Sequence, residues 1–381
     1  MTSWKFSIAA AAAVALAASA ASAETIKIGF NTPQTGFAAA DGKSVLTGAQ
    51  IAIDTVNAAG GVNGKKLELI VYDDQAKPKF AVPIATKLIQ QDKVAMSISG
   101  SYSAPTRASA GVYQNAKVPY ISAYAVHPDI TRAGNYVFRT GILGSVLGKA
   151  AAKLVGDKLG KKRVVITIMK NDYGKALAAG FKSVMGNYGI KVVNEYQYSL
   201  RDRQFGPIVS SIKGDNPDAI FDTGYWFVAA PFVSQLRAGG VNAVVVAQEG
   251  YDGVKFIEIA KKAAEGVIIV TALDRDSKDP AVVNFMTEFK KRAGYGADMV
   301  GASGHAAVMV AAAALKKAGS TDRAAIRDAL ASIKVDAITG TLSFNKLGEV
   351  QKSLKVQEVR GGGWHYHSEI TDAKLLTPPE K

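Results

Sequence analysis

The sequence predicts an α/β protein of two lobes, each a parallel central sheet flanked by helices. Three observations carry this. Short β-branched runs alternate with longer stretches of helical apolar spacing from residue 25 onward, the pattern of strand–crossover–strand units. The alternation starts afresh near Gly144 as a second series. A length of 381 residues, at about 150 per domain, suits two domains better than one. Hydrophobic residues make up 48% of the chain, enough for two cores and too many for a disordered protein.

In the first series Thr25–Phe30 reads as a strand, and Leu46, Ala49, Ile53 and Val56 recur at helical spacing behind Asp41 as a cap. Leu67–Tyr72, Val94–Ser99 and Pro119–Ser122 read as strands, separated by helices over Phe80–Gln91 and Arg107–Gln114. The second series has strands at Val164–Met169, Lys191–Tyr196, Ala219–Phe221, Val244–Val246 and Val267–Thr271, with helices around 145–157, 174–188, 204–214, 227–238 and 252–264. Helices near 279–292, 302–317 and 321–333 then follow with little strand between them, before late strands at Thr339–Phe344 and Leu354–Arg360. Helices without strands of their own need a sheet to cover, and the first series is short of helices. The chain is therefore expected to return to the first lobe near 272 and to cross again near 350. That gives a three-crossover hinge, lobe one being 24–141 plus 272–349 and lobe two 142–271 plus 350–381.

Residues 1–23 read as a secretory signal peptide. Lys5 gives a positive start, Ile8 to Ala20 is apolar, and Ala21-Ser22-Ala23 precedes Glu24, so cleavage is expected after Ala23. The longest apolar run elsewhere, Ala306 to Leu315, is too short to span a bilayer and reads as a buried helix. An exported, soluble protein follows. Its formal charge of +14 is spread over short clusters such as Lys65-Lys66, Lys161-Lys162-Arg163 and Lys290-Lys291-Arg292. Without aromatic interleaving or a basic tail these describe a solvated surface, not a nucleic-acid site.

The absence of cysteine excludes disulfides, thiol nucleophiles, Cys-ligated metals and lipid attachment through a thiol. No phosphate loop, dinucleotide fingerprint or serine nucleophile elbow occurs. Of the four histidines, His127, His305, His365 and His367, the last two form an HxH on a strand, where both rings share a face without a local carboxylate set. Asp73-Asp74 at a strand end suits capping and loop hydrogen bonds better than a cation. With no catalytic constellation, cofactor motif or metal set, the chain reads as a binder and not an enzyme. In paired sheets of this kind the ligand lies at the carboxyl ends of the strands, in the cleft between facing loops.

Several segments together carry a family signature: the export signal, Thr47-Gly48-Ala49, Asn57–Lys66 (NAAGGVNGKK), Tyr72-Asp73-Asp74, Val118-Pro119, Phe138-Arg139-Thr140 and Asp172-Tyr173-Gly174. In order and spacing they resemble the periplasmic leucine/isoleucine/valine-binding protein family over essentially the whole mature chain. The resemblance implies a type I periplasmic-binding fold of two Rossmann-like lobes, closing like a Venus flytrap on a small molecule and docking onto a membrane ABC permease. It implies a periplasmic protein, taken as a monomer, that captures an amino acid with a branched, bulky or aromatic side chain.

Carried over residue by residue, the family's serine falls in Gly100–Ser103, at Ser103 or, with a one-residue gap, at Tyr102. The next loop supplies a backbone carbonyl from Ala125, and Val126 stands where a threonine is expected. In lobe two the resemblance assigns Tyr173, Tyr225 with Trp226 beside it, and Glu249 as the acid that holds the ammonium. Val126 cannot donate, which removes a hydrogen bond worth about 0.5–1.5 kcal/mol. Phe37, Tyr102, Tyr124, Tyr173, Tyr225, Trp226 and Tyr251 fall in or beside cleft loops, so an aromatic carboxylate of benzoate or cinnamate type is the alternative ligand. Glu249 favours the amino acid, because an amine-free acid would face like charge.

Overall fold

The computed structural model describes residues 25–380, and the expected signal peptide lies outside them. The first sheet is all parallel: β1 (Ile26–Thr32), β2 (Leu67–Asp73), β3 (Met96–Ser99), β4 (Tyr120–Ser122) and β5 (Val137–Arg139), in the order β2-β1-β3-β4-β5. β3, its central strand, is buried at every residue. Phe30 of β1 stands opposite Val71 on one side and Ile98 on the other, as near-continuous apolar strands of a covered parallel sheet require. The crossovers are α1 (Ala39–Ala58), α2 (Pro78–Gln90) and α3 (Ser103–Asn115). β5 is a strand that the sequence pattern missed.

The second sheet contains β6 (Arg163–Met169), β7 (Lys191–Tyr198), β8 (Ala219–Asp222), β9 (Val244–Gln248) and β10 (Ile268–Thr271), again parallel. Its helices are α4 (Gly144–Lys153), α5 (Asp172–Val184), α6 (Gly206–Asp215), α7 (Trp226–Ala238) and α8 (Val254–Ala260). The chain then leaves this sheet. α9 (Pro280–Ala293) and α10 (Met299–Ala318) pack on α1, followed by α11 (Arg323–Ala331). α10 is apolar almost all round and buried for most of its length, including Ala306 to Leu315 apart from half-buried Met309 and Ala313. It approaches α1 so closely that a Cβ on Gly48 would lie 1.8 Å from the Gly301 carbonyl oxygen.

β11 (Lys334–Ala337) and β12 (Gly340–Ser343) form a separate antiparallel ribbon, so the strand expected at Thr339–Phe344 joins neither main sheet. β13 (Leu354–Arg360) and β14 (Gly363–Ile370) then add an antiparallel hairpin to the second sheet beside β10, completing the order β14-β13-β10-β9-β8-β6-β7. The purely parallel reading of that sheet is corrected at this edge. A two-residue Gly361-Gly362 turn, both at positive φ, folds the strands back on themselves.

The chain thus passes between the two sheets three times, over 140–143, 272–279 and 344–353. The first and third passages are bonded together. The Arg139 N–H donates to the Gly348 carbonyl at 2.9 Å, and the Lys352 ammonium to the Thr140 carbonyl at 3.3 Å. Arg139, fully buried, pairs with Glu349 through Nε at 2.9 Å and Nη2 at 3.2 Å, and also donates to the carbonyls of Ala125 and His127. Thr131 donates to the same carboxylate. A buried ion pair of this kind is tolerable because nearly every donor and acceptor finds a partner.

Candidate functional site

The carboxyl ends of β3, β4, β6, β8 and β9 bring loops of the two sheets face to face. Between them lies a cavity of about 30 Å³, room for one or two waters. Tyr102, Ser103, Tyr124 and Ala125 line it from the first sheet, Tyr173, Tyr225, Trp226 and Glu249 from the second. All of the expected site residues except Val126 meet there.

Ser103 is not in a loop. α3 starts four residues earlier than the sequence pattern indicates, with Tyr102 as its extended N-cap and Ser103 as its first helical residue. Pro105 hid this start, yet in the first turn its missing N–H costs nothing, because those N–H groups have no partner within the helix. The cavity therefore faces a helix N-terminus, with free backbone donors and a positive partial charge suited to a carboxylate. The Ser103 hydroxyl accepts from the Val126 N–H at 3.2 Å, which leaves its own proton to donate.

Ala125 and Val126 depart from expectation. The Ala125 carbonyl accepts from Arg139 and, at 3.2 Å, from the Ser122 hydroxyl. Both lone pairs are committed, so it has none for a ligand ammonium. Val126 is fully buried behind the cavity wall, its carbonyl bonded to the Gly144 N–H at 2.9 Å and its side chain in the core.

Glu249 opens a short 3-10 turn, Glu249–Tyr251, directly after β9. The turn is clamped from α5, where the Tyr173 hydroxyl accepts the Gly250 N–H at 2.9 Å. A Cβ on Gly250 would come within 2.5 Å of the Gly224 carbonyl, so only glycine allows this approach. Glu249 is 5% exposed, and among the described residues none donates a hydrogen bond to its carboxylate. Burial pushes its pKa up to about 8, opposed by the positive charges of Lys352 and Arg139 and assisted by Asp252. Lys352 is in turn pushed down to about 8 by burial, with Glu249 holding it back.

The aromatic wall is continuous. Tyr225 stacks on Tyr102 with centroids 4.7 Å apart and meets Tyr173 at the same distance. Tyr124 donates to the Gly100 carbonyl at 3.2 Å. Phe37 sits at the lip, 45% exposed, against Tyr102 and Phe227. Tyr251 turns away, fully buried, its hydroxyl donating to Asp222 at 2.6 Å.

Asp41 is the residue that the sequence pattern misplaced. α1 begins at Ala39 behind Ala38, so Asp41 lies inside the first turn and caps nothing. Its carboxylate lines the cavity, where it accepts from the Tyr102 hydroxyl and, across the cleft, from the Trp226 indole N–H at 2.9 Å. Burial raises its pKa against those two hydrogen bonds. Gly250, Asp252, Met299 and Val300 complete the lining. Asp252 is held by Thr271 at 2.7 Å, by the Met299 N–H at 3.1 Å and by Arg275. Asp73 and Asp74 serve their loops: Asp73 accepts from the N–H groups of Gln34 and Gln75, Asp74 from Asn31, Ala76 and Ser101.

The model of the family described as periplasmic binding protein matches residues 25–363. The Leu/Ile/Val-binding protein of Citrobacter freundii is 30% identical over 356 residues, covering 92% of this chain and 94% of that protein. The leucine-, isoleucine-, valine-, threonine- and alanine-binding protein of Pseudomonas aeruginosa is 29% identical over 370 residues, 96% of this chain and 97% of that protein. Among solved structures, the branched-chain amino acid transporter substrate-binding protein of Streptococcus pneumoniae in complex with isoleucine superposes with a TM-score of 0.85 at 27% identity, covering 91% of this chain and 99% of that one.

Proposed function

The chain belongs to the periplasmic binding protein family, and from that membership we propose that it is the exported receptor of an ABC importer, capturing an α-amino acid between its lobes. The lobes are 24–141 plus 272–349 and 142–271 plus 350–381, and the three passages act as the hinge. Ligand that touches both lobes shifts the population toward the closed form, which the permease receives. Cleavage after Ala23 releases the receptor as a periplasmic monomer.

The N-terminus of α3 and the Ser103 hydroxyl take the carboxylate, Tyr102, Tyr173 and Tyr225 form the walls, and Glu249 takes the ammonium. With the Ala125 carbonyl committed to Arg139, the amine depends on Glu249. One observation carries the reading: a buried carboxylate to which none of the described residues donates a hydrogen bond lines the same cavity as a helix N-terminus. A zwitterion pairs both ends at once, and unpaired buried charge is costly. An aromatic carboxylate would suit the tyrosine wall and leave Glu249 without a cation.

Calorimetric titration with matched pairs tests this: leucine against 4-methylpentanoate, and phenylalanine against 3-phenylpropanoate. The amino acids should bind at least tenfold more tightly than their deaminated partners. Tighter binding of the amine-free acids, or of benzoate and cinnamate, would overturn the amine assignment and leave the transport role standing.

A further inference from the structure

The cavity at Glu249 is one of two neighbours. A second, of about 270 Å³, adjoins it toward the outside, and Asp41, Trp226 and Asp252 line both. The inner space has room for one or two waters; an amino-acid side chain must extend into the outer one. Three residues stand in its path. Asp252 is fixed by Thr271, the Met299 N–H and Arg275. Asp41 is built into the first turn of α1 and held by Tyr102. Trp226 is half-buried and attached through one hydrogen bond, from its indole N–H to Asp41 Oδ1. Of the three, the indole has the fewest hydrogen bonds, packing otherwise on Phe227 and the edge of the core, and displacing it would leave Oδ1 without its donor.

Resting on the amino-acid reading, we propose that Asp41 selects the ligand by its side chain: an α-amino acid bearing a hydrogen-bond donor, which replaces the Trp226 N–H at Oδ1 when the partition opens. Asp41 is 9% exposed, and its two oxygens take neutral donors from Tyr102 and Trp226. Among the described residues no cation forms an ion pair with it. A methyl group pushed past the indole strands a buried carboxylate oxygen. A hydroxyl, amide or ammonium at the same place satisfies it. Sites built around a buried acceptor reject ligands lacking the donor far more strongly than apolar pockets reject a changed methyl.

The test uses amino acids matched in shape, valine against threonine for a short reach and norleucine against lysine for a long one. They are titrated into the full mature protein, Asp41→Ala and Trp226→Phe, with melting curves to establish that each variant is folded. In the wild type the donor-bearing member of at least one pair should bind tenfold or more tightly than its partner. Asp41→Ala should cut that preference below threefold. Trp226→Phe keeps the carboxylate and removes the competing donor, so it should enlarge the preference by threefold or more. Equal wild-type affinities within both pairs, or a preference that survives Asp41→Ala, would overturn this selectivity while leaving amino-acid binding intact. If the wild type binds none of the four, both the amino-acid reading and this inference fall.

Discussion

Replacing Glu249 by glutamine while varying pH isolates the charge that the proposed mechanism depends on. In the folded protein the Glu249 carboxyl is pushed up to about 8 by burial, so near pH 6 it carries a proton and cannot pair with an ammonium ion. Binding an amine must then ionise it, and the proton leaves. The complex holds fewer protons than the free protein, so affinity rises with pH. One proton released corresponds to about 1.4 kcal/mol, or about tenfold in Kd, per pH unit. The dissociation constant should therefore fall about tenfold per unit from pH 6 and level off near pH 8. Any proton lost from Lys352, itself at about 8, steepens the slope in the same direction. Glu249→Gln has no such proton and should give a flat profile. At pH 8 it loses a charge-assisted hydrogen bond of about 1.5–3 kcal/mol, making it about 10- to 100-fold weaker. Near pH 6 the two proteins should converge. Titration calorimetry at pH 6, 7 and 8, repeated at pH 7 in buffers of different ionisation enthalpy, reads both the slope and the released proton. A wild-type affinity independent of pH over this range, or the same slope in Glu249→Gln, would refute the assignment.

Three further outcomes concern the frame around the site. Glu349→Ala leaves the Arg139 guanidinium, fully buried, without its anion and should cost about 3–5 kcal/mol in urea unfolding, whereas the paired change Arg139→Met with Glu349→Leu should recover most of it. Gly48→Ala places a methyl against the Gly301 carbonyl and should destabilise by about 1–3 kcal/mol, while Gly111→Ala, in α3 with open space around it, should gain up to about 1 kcal/mol by the same measurement. His305, buried against Phe285, is pushed down to about 4 by burial. The unfolded chain therefore takes up its proton first as pH falls through about 6.5, and stability is lost from there down to about pH 4, by roughly 3 kcal/mol in total. His305→Leu should remove that part of the acid slope in pH-dependent melting curves.

The strand series was readable because a parallel sheet covered on both faces makes its strands short, β-branched and mostly apolar, as in Val164–Met169, where Thr167 is the one polar residue, and Ile26–Phe30, where Lys27 is the one charge. β5 escaped because one of its three residues is Arg139, a charge that reads as surface although it is fully buried. The antiparallel edge escaped because a strand's own residues do not say which neighbour it pairs with; β13 reads alike in either direction. α3 began earlier than expected because Pro105 looks like a helix breaker unless it falls in the first turn, where it breaks nothing.

Within the site, the same limit explains what the sequence concealed. Local pattern reports a residue's element but not its partner. Asp41 behaves as a cap by every local rule, yet its carboxylate answers to Trp226, 185 residues away. Ala125 offers a carbonyl like any other until Arg139, placed by the unrecognised β5, takes it. Lys352 reaches the neighbourhood of Glu249 because the third passage between the sheets lies beside the first, where its ammonium meets the Thr140 carbonyl. The segments that would flex during closure therefore also set the charge environment of the proposed ammonium site. A change in the separation of Lys352 and Glu249 alters the cost of ionising either one, so under the proposed ammonium assignment lobe motion would couple to ligand charge through this pair.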